Sequence, residues 1–420
     1  MERLVRPATG LHRHAAGGRY RWAVLGVGTL AQGTSSAYFQ GLAAVAPALR
    51  ASEHLSVTSL GVLLGAPTAG LVVTLLPWGW LTDRVGERLV MAAGLLGAAL
   101  ALTAASAVHG LGPLAAWLFL AGASGASVNA ASGRAVLTWF PGPQRGVAMG
   151  VRQTAVPLGA ATAAVALPPL VAAFGVGGGL RALAVACLAA AAAVTVWIRE
   201  PAPARRPGPG AATGRATASA PSATVAPPRS TRPVLHDRRL WRLAGASSLL
   251  VVPQFTLVAF TVEVLHEHRG VAAATAAGVL AAGQLSGAFG RLLVGSWSDR
   301  VGSRTRPLRL VALAMAAGAV VLAATVDGPL PLLEVALVAE SLLVICWNGL
   351  AFTAAGELAP PGRVGTALAF QNTGNFVSAT VTPPVMGLVI STAGYGPAFA
   401  LLAVPAVLSA RLLTRLPAST

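Results

Sequence analysis

Twelve stretches of this sequence are apolar over about twenty residues each, and they limit the folds open to the chain more than any other feature. A helix needs about 20 apolar residues to cross the roughly 30 Å hydrocarbon core of a bilayer. We therefore predict an all-α integral membrane protein with twelve transmembrane helices, at residues 22–48, 57–78, 89–108, 112–138, 147–173, 180–198, 243–265, 271–295, 309–326, 330–356, 366–391 and 393–413.

The arginines indicate how these helices are oriented. A net charge of +17 in a soluble protein would suggest nucleic acid, but only 10% of the residues are charged, against about 25% in soluble domains. With the amino terminus in the cytoplasm, 24 of the 30 arginines lie on the cytoplasmic side, three outside and three within helices. This is the positive-inside distribution. We expect a multi-pass protein of the cell membrane with both termini cytoplasmic and no nucleic-acid partner.

The chain divides into two predicted bundles and three other segments. The segment 199–240 contains a stretch rich in Pro, Ala, Ser, Thr and Arg, which is typical of a flexible linker. We place a cytoplasmic tail at 1–21, one six-helix bundle at 22–198, the other at 241–413 and a second tail at 414–420. A cleaved signal peptide is the alternative at the amino terminus, but the apolar run there is longer than a signal core. Both cysteines fall inside apolar helices, so we expect neither a disulfide nor a metal site.

An internal repeat relates the two bundles. The junction after the second helix recurs 216 residues later, where Gly79, Asp83, Arg84, Val85, Gly86 and Arg88 match Gly295, Asp299, Arg300, Val301, Gly302 and Arg304. At an offset of 219, Asn129, Pro141, Gly146 and Thr154 match Asn348, Pro360, Gly365 and Thr373. Such duplication is typical of transporters that bind their substrate between the halves, near the bilayer midplane. It predicts two pseudo-symmetric six-helix bundles.

Over essentially its whole length the chain resembles the major facilitator superfamily. The similarity rests on the twelve helices, the long central loop and two copies of the pattern Gly-x-x-x-Asp-Arg-x-Gly-x-[Arg/Lys]. The resemblance implies alternating access and a latch that closes the cytoplasmic side, with Asp83 and Asp299 as its acids. A solvated turn is the alternative, but it does not explain the repeated aspartates. The expected cytoplasmic gate comprises Gly79, Asp83, Arg84, Arg88, Arg134, Gly295, Asp299, Arg300 and Arg304.

Four ionisable residues lie within predicted helices, where charge is costly and is a functional candidate by default. Arg134 lies near the cytoplasmic end of its helix, so we assign it to the gate, with substrate contact second. Arg152 and Arg291 lie deeper, and the resemblance implies that their helices pack together. Two convergent guanidinium groups suit a carboxylate or phosphate; the alternative is that each is satisfied locally. Glu340 is either a proton carrier or the counter-ion of an arginine.

Neutral polar residues at similar depth complete the predicted substrate site. Several lie on symmetry-related helices, although each alone is more often a contact between helices than a ligand contact. Beside Arg152 and Arg291, the predicted substrate-binding residues are Tyr38, Gln40, Gln153, Gln254, Gln284, Asn348, Gln371 and Asn372.

These features predict a monomeric secondary transporter that moves a small, anionic organic solute, coupled to an ion such as the proton, within the lipid bilayer. The chain has no lysine, hence no phosphate-binding loop, and no catalytic constellation, so we expect neither an enzyme nor a cofactor. Proton-driven multidrug efflux is the alternative, and a non-transporting membrane sensor is a remote one. The segment 139–157 is similar to bacterial members that handle organic anions, cyanate or sugar-phosphate-like solutes. The segment around Pro157 resembles that of the drug antiporters but lacks its first glycine and has Ala160 in place of a second.

Overall fold

The computed structural model describes residues 11–140, 142–198, 236–360 and 364–416. Helices account for nearly all of these ranges, which contain no strand. In chain order they are α1 (Leu11–Phe39), α2 (Ala46–Ser52), α3 (Val57–Val85), α4 (Glu87–Ala105), α5 (Leu111–Trp139), α6 (Gly142–Trp197), α7 (Arg238–Glu263), α8 (Ala273–Val301), α9 (Thr305–Thr325), α10 (Leu330–Cys346), α11 (Asn348–Leu358), α12 (Val364–Ala393), α13 (Tyr395–Leu401) and α14 (Ala403–Leu413). A 3₁₀ turn (Gly41–Val45) precedes α2, and a π turn (Val264–His268) follows α7.

Ten segments of the described chain are long and apolar enough to cross a membrane, against the twelve predicted. One of the ten, Ala148–Trp197, covers both helices predicted at 147–173 and 180–198. Within it Gly175 has a φ of 68° and divides α6 into two helices, a conformation that glycine adopts at little cost. The predicted loop between these helices is therefore a single residue. The first predicted helix is not among the ten: α1 ends at Phe39, and its apolar stretch is interrupted by five polar residues, Thr29, Gln32, Thr34, Ser35 and Ser36.

Several predicted boundaries differ from the helices observed. The apolar run at 22–48 is broken at Gln40, where the chain passes through the 3₁₀ turn into α2. The run at 330–356 is interrupted at Trp347, and the run at 393–413 at Leu402. Helix α1 begins at Leu11, inside the predicted tail, and α7 begins at Arg238, inside the predicted linker. Residues 1–10, 199–235 and 417–420, which hold the rest of those segments, lie outside the described residues.

The helices pack most extensively within each half of the chain. In the first half α3 packs against α5, α1 against α6, and α4 against both α5 and α6. In the second half α8 packs against α10, α7 against α12, and α9 against α14. Two extensive pairs, α3 with α12 and α6 with α8, join the halves, and α2 and the 3₁₀ turn add smaller contacts with α7 and α8.

Large apolar side chains cover much of the outer surface. Leu76, Leu100 and Phe174 are 70%, 72% and 68% exposed. Exposed apolar patches of this extent are rare on soluble monomers, and a lipid environment accounts for them.

Candidate functional site

Arg152 lies on α6 inside the first half and is only 6% exposed. Its Nε donates to Ser132 Oγ at 2.8 Å, and its Nη2 donates to Gln32 Oε1 at 3.2 Å. The same Nη2 reaches the backbone oxygen of Asn129 at 3.0 Å and Oδ1 at 3.3 Å, while Nη1 donates to Gln153 Oε1 at 3.3 Å. Every acceptor is neutral. Within the described part of the chain, no carboxylate compensates this guanidinium.

Arg291 on α8 approaches Gln153, the neighbour of Arg152, from the second half. It is partly buried, and its Nε donates to the backbone oxygen of Ile345 at 3.1 Å. Its Nη1 crosses between the halves to the backbone oxygen of Gln153 at 2.8 Å. Gln153 therefore accepts from both guanidinium groups, from Arg152 through its side chain and from Arg291 through its main chain. The packing of α6 against α8 brings the two predicted arginines to one residue, and Arg291 too has no acid among its described partners.

The amide side chains of the second half form two hydrogen-bonded pairs. Asn348 Nδ2 donates to Gln254 Oε1 at 3.0 Å, which ties the break between α10 and α11 to α7. Gln371 Nε2 donates to Ser247 Oγ at 2.7 Å, which joins α12 to α7. Asn375, one turn beyond Gln371, is 6% exposed, and its Oδ1 has no partner among the described atoms. It was absent from the predicted set.

The remaining predicted polar residues are placed less uniformly. Tyr38 is fully buried, and its hydroxyl donates to the backbone oxygen of Ala121 at 3.3 Å, so it belongs to the core of the first half. Gln40 is half-buried at the break after α1, and Asn372 is half-buried on α12. Gln284 on α8 is 2% exposed.

Glu340 lies on α10 at 2% exposure, and both of its carboxyl oxygens lack a hydrogen-bond partner among the described atoms. Its Oε2 lies against Gly318 of α9 and leaves no room for a Cβ at that position. No described arginine forms an ion pair with it. The role of counter-ion, one of the two predicted for Glu340, would require a neighbouring arginine, and no described arginine fills that place in this conformation.

In the second half, the charged residues of the repeated cytoplasmic motif contact their own half. Arg304 pairs with Asp299 and, at 3.0 Å, with Glu357. The hydrogen bond from Arg304 to Asp299 raises the pKa of the guanidinium. Arg300 is exposed. Apart from its own stretch of helix, no described atom lies within 4 Å of the place where a Cβ at Gly295 would stand, so no described helix approaches it closely.

The first-half copy of the motif is arranged similarly. Arg134 pairs with Glu87 at 3.4 Å and donates to the backbone oxygen of Thr82. Arg84 stacks on Trp80, with 3.8 Å between Cζ and the ring centroid, and Arg88 is exposed. A Cβ at Gly79 would also meet no described atom within 4 Å. The Asp83 side chain lies outside the described residues, and the latch stays a prediction.

At the opposite end of the molecule, charged residues do join the halves. Arg50 Nη1 of α2 lies 2.6 Å from Glu263 Oε1 of α7 and 3.5 Å from Glu267 Oε2. The Glu263 side chain is fully buried, and that of Arg50 is 31% exposed. The sequence analysis missed this pair. The sequence contains one indication of this pair, which is that Arg50 is among the few arginines on the predicted external side.

Glycines bring α3 and α12 into backbone contact near the same end. A Cβ at Gly61 would overlap the carbonyl of Pro383, and one at Gly65 would lie 2.8 Å from the Thr380 oxygen. Thr58 Oγ1 and Ser391 Oγ, 3.3 Å apart, form a hydrogen bond across the same seam. The two halves are thus closed at this end.

Comparison with known proteins gives consistent results. The sequence profile of the Major Facilitator Superfamily matches residues 28–381. An uncharacterized MFS-type transporter of Mycobacterium tuberculosis, Rv2994, is 40% identical over 392 residues, covering 93% of this chain and 84% of that protein. The fold is similar to crystal structures of a bacterial homologue of the human lysosomal transporter Spinster, in inward-facing occupied and unoccupied conformations. That likeness has a TM-score of 0.76 at 15% identity and covers 94% of this chain and 96% of the other.

Proposed function

This chain belongs to the major facilitator superfamily and is a membrane transporter, and we propose that it moves a small organic anion by alternating access, coupled to protons. The anionic substrate is proposed because Arg152 and Arg291 both bind Gln153, with no acid bound to either among the described residues. One buried and one partly buried cation, held only by neutral acceptors, leave net positive charge in a region of low dielectric. A bound carboxylate would compensate that charge.

The hydrogen bonds around Arg152 leave room for such an exchange of partners. Its longest hydrogen bonds to oxygen run to the side chains of Gln153 and Asn129, both at 3.3 Å. Hydrogen bonds between a guanidinium and a carboxylate are roughly twice as strong as neutral ones and are often bidentate. An incoming carboxylate would therefore displace these two amide oxygens at little cost, while Ser132 continues to hold Nε.

The distribution of contacts between the halves supports alternating access from a state open toward the cytoplasm. All described hydrogen bonds between the halves are at the predicted external end or at Gln153. Among the described contacts, the ion pairs of Arg134 and Arg304 each lie within one half, and the two glycines of the motif are uncrowded. Rocking of one half against the other would separate Arg50 from Glu263 and bring the motif glycines into contact.

Glu340 is the proposed proton carrier. A carboxylate buried at this depth with no partner is expensive, so the group is expected to hold a proton in the state observed. A conformation that opens the contact between α9 and α10 would let the proton leave.

Uptake into proteoliposomes tests the proposal. We expect purified protein to accumulate radiolabelled acetate, propionate or lactate, and Arg152→Gln to lower that uptake about 10- to 100-fold, because a charged hydrogen-bonding partner contributes about 1.5–3 kcal/mol. Arg181→Gln, at an exposed position of α6, is the matched control and should retain uptake. Transport of ethidium with no flux of any carboxylate would instead establish efflux of cationic drugs.

A further inference from the structure

The short helix that carries Arg50 is fastened to its own half by Glu53, the residue that follows α2. Glu53 Oε2 accepts the backbone N–H of Gly110 at 2.6 Å, and Oε1 lies 3.1 Å from His109 Nδ1. The Glu53 side chain is only 5% exposed. Burial raises the pKa of this carboxyl, but the hydrogen bonds from Gly110 and His109 outweigh burial and lower the pKa overall. Glu53 therefore ties the end of α2 to the loop between α4 and α5.

The segment that follows Glu53 transmits this attachment to Arg50. The N–H of Leu55 donates to the backbone oxygen of Arg50 at 3.0 Å, and the backbone oxygen of Leu55 accepts from Arg50 Nε at 3.1 Å. His54, between Glu53 and Leu55, has a φ of 51°. A residue other than glycine keeps such a conformation only where its surroundings hold it, and the hydrogen bonds on both sides of His54 do so. They fix the guanidinium whose Nη1 binds Glu263 in the other half.

The second half has an equivalent attachment. At the offset of 216 residues, Glu53 corresponds to Arg269. Arg269 Nη1 donates to the backbone oxygen of Val326, and Nη2 donates to that of Gly328 at 2.6 Å. Both acceptors lie between α9 and α10, where the repeat places the counterpart of the loop between α4 and α5. The charges of the two residues are opposite, but each ties the segment after the first long helix of its half to the same loop of that half.

Arg269 directly follows the π turn, and its backbone N–H donates to the oxygen of Val264 at the start of that turn, at 3.2 Å. The turn follows Glu263 and contains Glu267. These two acids bind Arg50 across the halves, and the contact is called the external ion pair below. Its basic side and its acidic side are thus each attached to a loop of their own half.

We propose that Glu53 and Arg269 are positioning residues of the external ion pair, which hold its partners in place and thereby favour closure of that end. The assignment rests on the proposed alternating access and is independent of the substrate. Holding two long charged side chains in one geometry costs conformational entropy, and attaching them beforehand lowers that cost. The external ion pair should therefore weaken when either attachment is removed, although neither residue is a member of the pair.

The distance between spin labels on the two halves tests the assignment. The labels are attached at Ala173→Cys and Ala393→Cys, which are exposed positions at the predicted external ends of α6 and α12. Neither position contacts Glu53 or Arg269 by a hydrogen bond, and Cys187 and Cys346 are replaced by alanine. Pulsed electron paramagnetic resonance of the protein in nanodiscs gives the populations of the short and the long distance.

We expect Glu53→Ala and Arg269→Ala each to raise the ratio of the long to the short distance at least about threefold. Ser52→Ala and Thr275→Ala, at exposed positions of α2 and α8, are the matched controls and should leave the ratio unchanged. An unchanged ratio in both Glu53→Ala and Arg269→Ala would overturn the assignment.

A double-mutant cycle separates positioning from a general loss of structure. In the background of Arg50→Gln, which lacks the external ion pair, neither Glu53→Ala nor Arg269→Ala should raise the ratio further. A rise by the same factor in that background would show that the two residues do not act through the pair, and would overturn the assignment. If Glu53→Ala does not purify as a single species, Glu53→Gln, which keeps one acceptor oxygen, takes its place.

Failure of the proposed alternating access gives a different result. A single distance in the unmodified protein and in Arg50→Gln alike would overturn alternating access and this assignment together. Two distances whose ratio depends on Arg50, but on neither Glu53 nor Arg269, would overturn this assignment and leave alternating access in place.

Discussion

Glu340 differs from the other charged residues of the interior because nothing described binds it. Arg152 has several neutral acceptors, and Arg291 has two carbonyl oxygens. The carboxyl of Glu340 lies against Gly318 and has no hydrogen-bond partner among the described atoms. The cost of burying an unpaired charge makes its protonation state depend on conformation, and this dependence is the physical basis of the proposed coupling to protons.

Glu340→Gln keeps the size of the side chain and removes the titration. We expect the variant to lose accumulation driven by an imposed pH gradient, while exchange of labelled for unlabelled substrate across the membrane continues. Uptake into proteoliposomes with and without the pH gradient measures gradient-driven accumulation. Counterflow of labelled substrate measures the exchange.

Glu334→Gln is the matched control, since Glu334 lies on the same helix and is partly exposed. Its accumulation should respond to the gradient as in the unmodified protein. Gradient-driven accumulation in Glu340→Gln at the unmodified level would remove Glu340 from the coupling mechanism.

Among the helices, the seam between α3 and α12 depends on the absence of side chains. Gly61 and Gly65 allow α3 to approach carbonyl groups of α12, in the manner of small-residue contacts in membranes. The seam lies at the end of the molecule where Thr58 meets Ser391. Closure of this end therefore depends on glycine at position 61, where a Cβ would overlap the Pro383 carbonyl.

Gly61→Ala is expected to weaken closure of this end, since the added methyl group overlaps the Pro383 carbonyl and overpacking costs about 1–3 kcal/mol. The measurement is the rate at which a membrane-impermeant maleimide modifies Thr58→Cys, in a background with Cys187 and Cys346 replaced by alanine. We expect faster modification. Gly278→Ala, where a Cβ meets no described atom within 4 Å, should leave the rate unchanged. An unchanged modification rate in Gly61→Ala would show that the contact at Gly61 does not control closure of this end.

Helix number and helix boundaries were predictable to different degrees. Hydropathy identifies an apolar segment by its length, and the repeat of Asp83 at Asp299 identifies two related halves. Interruptions leave a weaker signal. The break at Gln40 lies inside a run that is apolar overall, and Gly175 is one glycine among several in 175–179. Both depend on how the chain packs, which no local pattern encodes.

At the scale of the whole molecule, few polar contacts join the two halves among the described residues, and Arg50 forms the ion pairs, with Glu263 and with Glu267. The buried carboxylate of Glu263 would lose its nearest cation when the halves separate at that end. The pair should therefore favour the state open toward the cytoplasm. Its partners are 213 residues apart, so no sequence pattern related them.

Arg50→Gln is expected to shift the population toward the externally open state. Removing one partner of a fully buried pair costs about 3–5 kcal/mol, and the 31% exposure of Arg50 reduces this, so we expect a shift on the order of tenfold. Maleimide modification of Thr58→Cys measures it.

A double-mutant cycle with Glu263→Gln separates the pair from other effects of either change. If the two residues act together, the double variant should resemble the single variants rather than add their effects. Fully additive rates would show that the pair does not set the conformational equilibrium.

The sequence identified Arg152 and Arg291 as candidate residues, but it did not identify the hydrogen bonds that they form. Intramembrane charge singled out Arg152 and Arg291 without reference to structure, and Gln153 was in the predicted set as their neighbour. That both arginines bind Gln153 depends on the packing of α6 against α8. Asn375 was missed because an asparagine in a helix is ordinary until its surroundings show that it lacks a donor.

The hydrogen bond from Arg291 to the main-chain oxygen of Gln153 has a consequence for mutational scanning. Substitution replaces side chains and leaves carbonyl oxygens in place, so a scan of α6 will detect the bond from Arg152 to Gln153 and remain blind to the bond from Arg291. Substitution of Arg291 on α8 will impair the contact between the halves, whereas no side-chain substitution on α6 will remove its acceptor. Replacing the backbone amide that contains this carbonyl by an ester, which weakens the oxygen as an acceptor, would reveal its contribution.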